Sequence, residues 1–201
     1  MESKQRILLS ALRIFLKKGY KATSIKEIMD ESQFTKGAIY HHFSSKEELF
    51  LETIDLLFDT FAEWEAELYK DQNSLHEILL RYFQSLGEIR LFMQNLAGDN
   101  TVDEFNFYLL MMEAFINFPE IREKHRETHQ KNNNRFITLL RAAQQEGVIR
   151  NEIECETLAL MINALGEGTL MYHILNEPID LQQIGEKIFT NIWNGIAVRK
   201  E

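Results

Sequence analysis

Proline occurs only twice in these 201 residues and glycine nine times, too few for the many tight turns of a β-rich architecture. Cysteine occurs once, at Cys155, which excludes an internal disulfide and any zinc site built from cysteines. The longest wholly apolar run, Phe107–Met112, is far too short to cross a bilayer. Arg6, Arg13, Lys17 and Lys18 interrupt every apolar stretch near the start, so no signal peptide is expected there. Hydrophobic residues (45 %) and charged residues (26 %) are in ordinary globular proportion, with ample material for a core. The expectation is a cytoplasmic all-α protein with no membrane partner, cofactor or metal.

Positive charge is scarce overall, and the formal net charge is −9. It is also unevenly placed. Residues 1–46 hold nine lysines and arginines against four acids, leaving this segment at +5 and everything after it at −14. A basic head on an acidic body can bind a polyanion through the head alone.

Helix-start signals recur along the chain. A Ser or Thr followed three residues later by Glu can satisfy orphan amides reciprocally, and such pairs stand at Ser24/Glu27, Ser45/Glu48, Ser74/Glu77 and Thr101/Glu104. Asp180 with Gln183 is a weaker version. Gly19, Gly147 and Asn176-Glu177-Pro178 supply stops, and Pro119 ends one helix and opens the next. These signals predict about nine helices, near 3–18, 24–31, 35–42, 46–71, 74–95, 101–117, 119–146, 154–175 and 181–197. Three short helices form a head and the later, longer ones a bundle. The expected division is 1–46 for the head and 47–201 for the body.

The stretch TKGAIYHHF, Thr35–Phe43, carries the chemistry. Ser24 opens one helix, Glu31-Ser32-Gln33-Phe34 turns the chain, and Thr35 begins another, which is helix–turn–helix spacing. The second helix of such a pair enters the major groove by its N-terminal end, where unpaired amides and a positive dipole favour phosphates and acceptor-rich base edges. Lys36 can reach a guanine or a phosphate. Gly37 lets the backbone approach closely, at a cost of about 1 kcal/mol of helix propensity. Ile39 and Phe43, four apart, pack inward, which turns Ala38, Tyr40 and His41 towards the groove and its phosphates. His42 bridges the helix end to DNA or to the next helix, and Lys46 can contact a phosphate just beyond the reading helix.

GYKATSIKEIMDESQFTKGAIYHHFSSKEELF closely resembles the DNA-binding region of the tetracycline-repressor (TetR) family of bacterial regulators, specifically over roughly residues 5–52. The resemblance implies a homodimer, a three-helix DNA-binding head and an α-helical C-terminal domain that takes a small inducer. It points to Ser24, Thr35, Lys36, Gly37, Ala38, Tyr40, His41, His42 and Lys46 at the DNA. Two positions depart from the family's pattern: Ile25 stands where many relatives have a polar residue, and Met29 where alanine is common.

In the body, FNFYLLMMEAFINF, Phe105–Phe118, is apolar nearly all round, so its helix is buried on several sides or lines a pocket. The ligand candidates are Trp64, Tyr82, Phe105, Tyr108, Met111, Met112, Glu113 and Phe115. Glu113, the lone acid, can face a cationic ligand, pair with a basic side chain or reach solvent. LALMINALGEGTLMYHIL and IGEKIFTNIWNGI read as two apolar-faced helices, with Ala164, Gly166 and Gly168 permitting close approach. The family places a four-helix dimer interface here, which puts Leu158, Ile162, Leu165, Gly166, Thr169, Ile188, Ile192 and Trp193 between subunits. A monomeric bundle is the rival arrangement. His125 and His129 share metal-ligand spacing but sit in the polar run REKHRETHQKNNN, which reads as a solvated face rather than a metal-dependent enzyme site.

Together these features predict a ligand-responsive transcriptional regulator, not an enzyme. It is a repressor that binds a pseudo-palindromic double-stranded DNA operator as a dimer and is released by a small, largely apolar inducer. The alternative is an activator, or an architectural DNA-binding factor with the same head and no inducer.

Overall fold

The Ser-x-x-Glu pairs do mark helix starts. At Ser24 the hydroxyl accepts the Glu27 N–H (3.3 Å) while the Glu27 carboxylate accepts the Ser24 N–H (2.8 Å), and Ser74 with Glu77 repeats the exchange at 3.2 and 3.1 Å. The computed structural model describes residues 3–72 and 74–198. Among them are ten α-helices: α1 Ser3–Ala22, α2 Ile25–Ser32, α3 Lys36–His42, α4 Lys46–Tyr69, α5 Leu75–Ser85, α6 Ile89–Ala97, α7 Glu104–Asn117, α8 Pro119–Gln145, α9 Cys155–Leu175 and α10 Leu181–Ile196.

The tenth helix comes from a split in the predicted 74–95 segment. The chain turns after Ser85, with Gly87 and Glu88 donating to Gln84 and Ser85, and the Glu88 carboxylate takes both forks of Arg81 at 2.5 and 2.8 Å. Gly87 has no side chain there to collide with Gln182, whose backbone nitrogen would lie 3.1 Å from a Cβ.

Two predicted caps also differ. Thr101 gives its N–H and hydroxyl to Asp99, so α7 starts later, at a reciprocal box of Asp103 with Asn106 (3.0 and 3.2 Å). At α4 the Glu48 carboxylate takes the Ser44 N–H instead of the Ser45 N–H, leaving only half of the expected box.

The chain folds as two compact units, one of residues 1–67 with 90–124, the other of residues 68–89 with 125–201. The first therefore gathers more than the 1–46 head. Ile7, Leu12 and Phe15 of α1, Ile28 of α2, Ile39 of α3 and Leu49, Phe50 and Ile54 of α4 are buried in it together with Leu110 and Ala114 of α7. Phe50 lies at its centre, edge-on to Phe15 at 4.9 Å and within 5.0 Å of Phe118. In the second unit Gly185 lets α10 lie against the α5 backbone, since a Cβ would sit 2.1 Å from the Phe83 carbonyl oxygen. An isolated backbone bridge, Ile149 with Ala197, ties the turn after α8 to the end of α10.

By length and composition α9 is apolar enough to cross a membrane. In this fold its Leu158, Ala159, Ile162 and Leu170 are buried, while Leu160, Met161, Leu165, Met171, Tyr172 and Leu175 are exposed.

Candidate DNA interface

The turn between α2 and α3 is made by Gln33, whose φ of 60° lies in the left-handed region and whose N–H returns to the Met29 carbonyl at 2.9 Å. Glycine or asparagine is usual at such a position, so nothing in the local sequence singles Gln33 out. Thr35 then caps α3, its hydroxyl accepting the Ala38 N–H at 3.2 Å.

Within α3, Ile39 and the C-cap Phe43 are each 1 % exposed and anchor the helix to the head. That rotation leaves Thr35, Lys36, Gly37, Tyr40 and His41 on the open side, with Ala38 half-buried at its edge. Lys36 extends along Tyr40, its ammonium 5.7 Å from the ring centre. A Cβ on Gly37 would meet nothing of the protein nearer than the Thr35 hydroxyl at 4.0 Å. The fold therefore has room for alanine at 37, and no packing requirement explains the glycine.

Most cations of the head are engaged internally. Lys4 pairs with Glu52 (2.6 Å), Arg13 with Glu31 (3.4 Å), Lys18 with Glu27 (2.5 Å) and Lys17 with Asp99. The Lys18 hydrogen bond, followed by those from Ser24, lowers the Glu27 pKa to about 2. Arg6 lies over the Phe34 ring at 5.1 Å. Among the described residues, Lys21, Lys26 and Lys36 have no ion-pair partner, and Lys26, exposed on α2, was overlooked in the sequence. The available sign was its place on the first helix of the motif, two residues after the cap.

Two predicted DNA residues, His42 and Lys46, are half-buried and bonded within the head. His42 Nε2 meets the Ser3 hydroxyl at 2.9 Å, tying the end of α3 to the start of α1. The Lys46 ammonium donates to the carbonyls of Tyr20 and Thr23, both at 2.9 Å, and sits 4.2 Å from the Tyr20 ring centre.

Residues 7–53 match the model of the bacterial regulatory proteins of the tetR family. YerO, an uncharacterized HTH-type transcriptional regulator of Bacillus subtilis, is 52 % identical over 50 residues, which are 25 % of this chain and 17 % of YerO. The chain carries a TetR-family DNA-binding head. The match spans well under a quarter of the length of YerO.

The fold reaches further. A TetR transcriptional regulator from Chloroflexus aurantiacus superposes with a TM-score of 0.81 at 23 % identity, covering 98 % of each chain. A putative transcriptional regulator from Saccharomonospora viridis, solved in complex with choline, gives 0.78 at 22 % identity over 98 % of this chain and 99 % of that one. Whole-chain likeness at these identities is likeness of fold.

Behind the TetR-family head, the ligand candidates divide. Met111 is buried, while Phe105 and Met112 belong to an exposed apolar stripe on α7 with Leu109 and Ile116. One surface of α7 therefore cannot present all three. Phe115 and Tyr108 are half-buried, the latter beside Phe107 at 6.0 Å. Trp64 packs on Phe61 (5.3 Å) and Phe92 (5.0 Å).

Glu113 is half-buried on α7. Its two carboxylate oxygens accept backbone N–H groups, from Tyr20 at 2.6 Å and Lys21 at 3.0 Å.

The dimer candidates divide as well. Leu158, Ile162 and Gly166 face the interior of their own unit, and Gly166 is glycine because a Cβ would stand 2.1 Å from the Tyr82 hydroxyl. That contact also accounts for Tyr82, the remaining ligand candidate. Ile188, Ile192 and Trp193 are half-buried, with Trp193 edge-on to His76 of α5 at 4.7 Å. Leu165 and Thr169 instead line a shallow groove with Ala164, Gly168, Tyr172, Ile179 and Ile184. None of the predicted ligand residues borders this groove. His125 and His129 lie together on α8, their rings 6.2 Å apart, and no group of three or more metal-ligating side chains forms among the described residues.

Proposed function

We propose that the protein is a ligand-responsive transcriptional regulator, a repressor whose α3 enters the major groove of a pseudo-palindromic operator. The observation that carries this reading is Gly37. A helix position with nothing of the protein against it has no internal need of glycine, whereas close passage of a DNA backbone requires one. Lys36, Tyr40 and His41 flank that position on the open side, and Lys26 adds a second unpaired cation for phosphate. Lys4, Arg13, Lys17 and Lys18 are engaged with carboxylates, Arg6 with the Phe34 ring and Lys46 with backbone carbonyls.

The protein acts as a homodimer, with α9 and α10 supplying the contact. Exposed Met161, Leu165 and Tyr172 recur at helical spacing along α9, and Gly168 has nothing within 4 Å of its Cβ position, leaving room for a neighbouring helix. The body takes a small ligand, a reading supported by the fold shared with the choline-bound S. viridis protein. Binding of ligand and operator is reciprocally linked, so each must weaken the other by the same factor. Loss of affinity for genomic fragments in Lys36→Ala and Tyr40→Ala proteins tests the DNA-reading role.

A further inference from the structure

The end of α1, past a kink at Gly19, forms a turn into α2 that is held from two sides. At Gly19 the backbone leaves the helical path with a φ of 76°, so the amides that follow lose their place in the α1 ladder. Glu113, from α7, accepts the N–H groups of Tyr20 and Lys21 at 2.6 and 3.0 Å. Lys46, the first residue of α4, donates to the carbonyls of Tyr20 and Thr23, each at 2.9 Å. The Tyr20 peptide thus carries a carboxylate on its N–H and an ammonium on its C=O.

The same residue is gripped through its ring, 4.6 Å from Phe50, 5.0 Å from Phe118 and 4.2 Å from the Lys46 ammonium. Gly19 makes the arrangement possible twice over. Its φ suits only glycine without strain, and a Cβ would stand 2.5 Å from Glu113 Oε2.

The turn leads directly into Ser24, the cap of α2, and Lys46 follows α3 closely. Lys46 therefore joins the two chain ends of the reading motif, and Glu113 fixes that junction to α7. We infer that Glu113 and Lys46 are positioning residues for α3, setting the reading helix through the 19–23 turn without touching DNA. This rests on the DNA-reading role proposed above. It gives α7 a direct mechanical hold on the head, with the carboxylate of Glu113 as the connecting group.

The test uses full-length Glu113→Ala, Glu113→Gln and Lys46→Met proteins, each checked for helicity and melting temperature. Amide hydrogen exchange in the free protein should quicken at residues 20–23 and also at 36–42. The distant effect is one that a merely local cap would not produce.

Affinity for genomic DNA fragments retrieved by the wild type should fall on the order of tenfold in Glu113→Ala, within the usual range for coupled neighbours. Glu113→Gln, which keeps one acceptor, should retain part of it. Lys46→Met should weaken binding without changing its salt dependence, whereas loss of a phosphate contact lowers the salt slope by about 1. The double variant should be no worse than the poorer single one.

Faster exchange confined to 20–23 in a folded Glu113→Ala protein, with α3 exchange unchanged, would overturn the inference. So would a reduced salt slope in Lys46→Met for Lys46. Should the wild type retrieve no preferred DNA, the regulatory reading fails while exchange at α3 still decides the positioning role. If Glu113→Ala does not fold, Glu113→Gln and Lys46→Met decide it in the same way.

Discussion

At Gly37 two effects of opposite sign meet. Alanine there should stabilise the head by up to about 1 kcal/mol through helix propensity, because the position is open and helical. The same methyl group should obstruct the approach of DNA. Gly37→Ala is therefore expected to raise the melting temperature slightly while lowering affinity for DNA, and paired calorimetry and binding measurements check it. Equal affinity in a stabilised variant would show that the glycine does not serve DNA. Residues with local roles were readable from sequence: Ile39 and Phe43 as anchors, Ser24 and Thr35 as caps. Glu113 and Lys46 were not, because their partners lie 93 and 26 residues away and no short-range pattern announces them. Gly166 misled for the same reason, since a small residue reads alike whether it admits a second subunit or the ring of Tyr82.

At the scale of elements, capping chemistry decides where helices begin and carries a pH signature. The Glu27 carboxylate, which closes the box at the start of α2, has its pKa lowered from an ordinary 4.5 to about 2, first by Lys18 and then by Ser24. A folded-state pKa below the unfolded one gives stability that is complete above the unfolded value and lost as pH falls through the folded one. The melting-temperature gap between wild type and Glu27→Gln should hold steady above about pH 5 and close towards pH 2. A gap that stays constant down to pH 2 would remove the box from the stability of α2. Helix positions were legible because Ser-x-x-Glu acts within one turn. The exceptions are a Thr101 hydroxyl diverted to Asp99, and a turn at 86–88 across which Arg81 pairs with Glu88. The face that α7 buries was not legible, since a helix apolar nearly all round carries no pattern to orient it.

For the whole molecule, charge and apolar surface divide the labour. In a head at +5, Glu27 and Glu31 are paired with Lys18 and Arg13, while Lys26 of α2 and Lys36 of α3 stay without an ion-pair partner. Exposed apolar side chains along α9 supply the contact proposed for a second subunit. Leu165→Glu should preserve helicity, because Leu165 is 40 % exposed, but shift a dimer towards monomer in analytical ultracentrifugation. A variant still dimeric, or a monomeric wild type, would contradict the proposed contact. The general plan of a basic helical head before a larger helical body was visible in the sequence, while the gathering of 90–124 with the head was not, because it depends on α1 packing against α7.

The most direct measurement is selection of genomic DNA fragments by the purified wild-type protein, with Lys36→Ala as the control. Recovery of a few pseudo-palindromic sites by the wild type, and their loss in the variant, is the result expected of a regulator that reads DNA through α3. Recovery of no preferred sequence by a folded wild type, or of the same sites by Lys36→Ala at equal affinity, would contradict it.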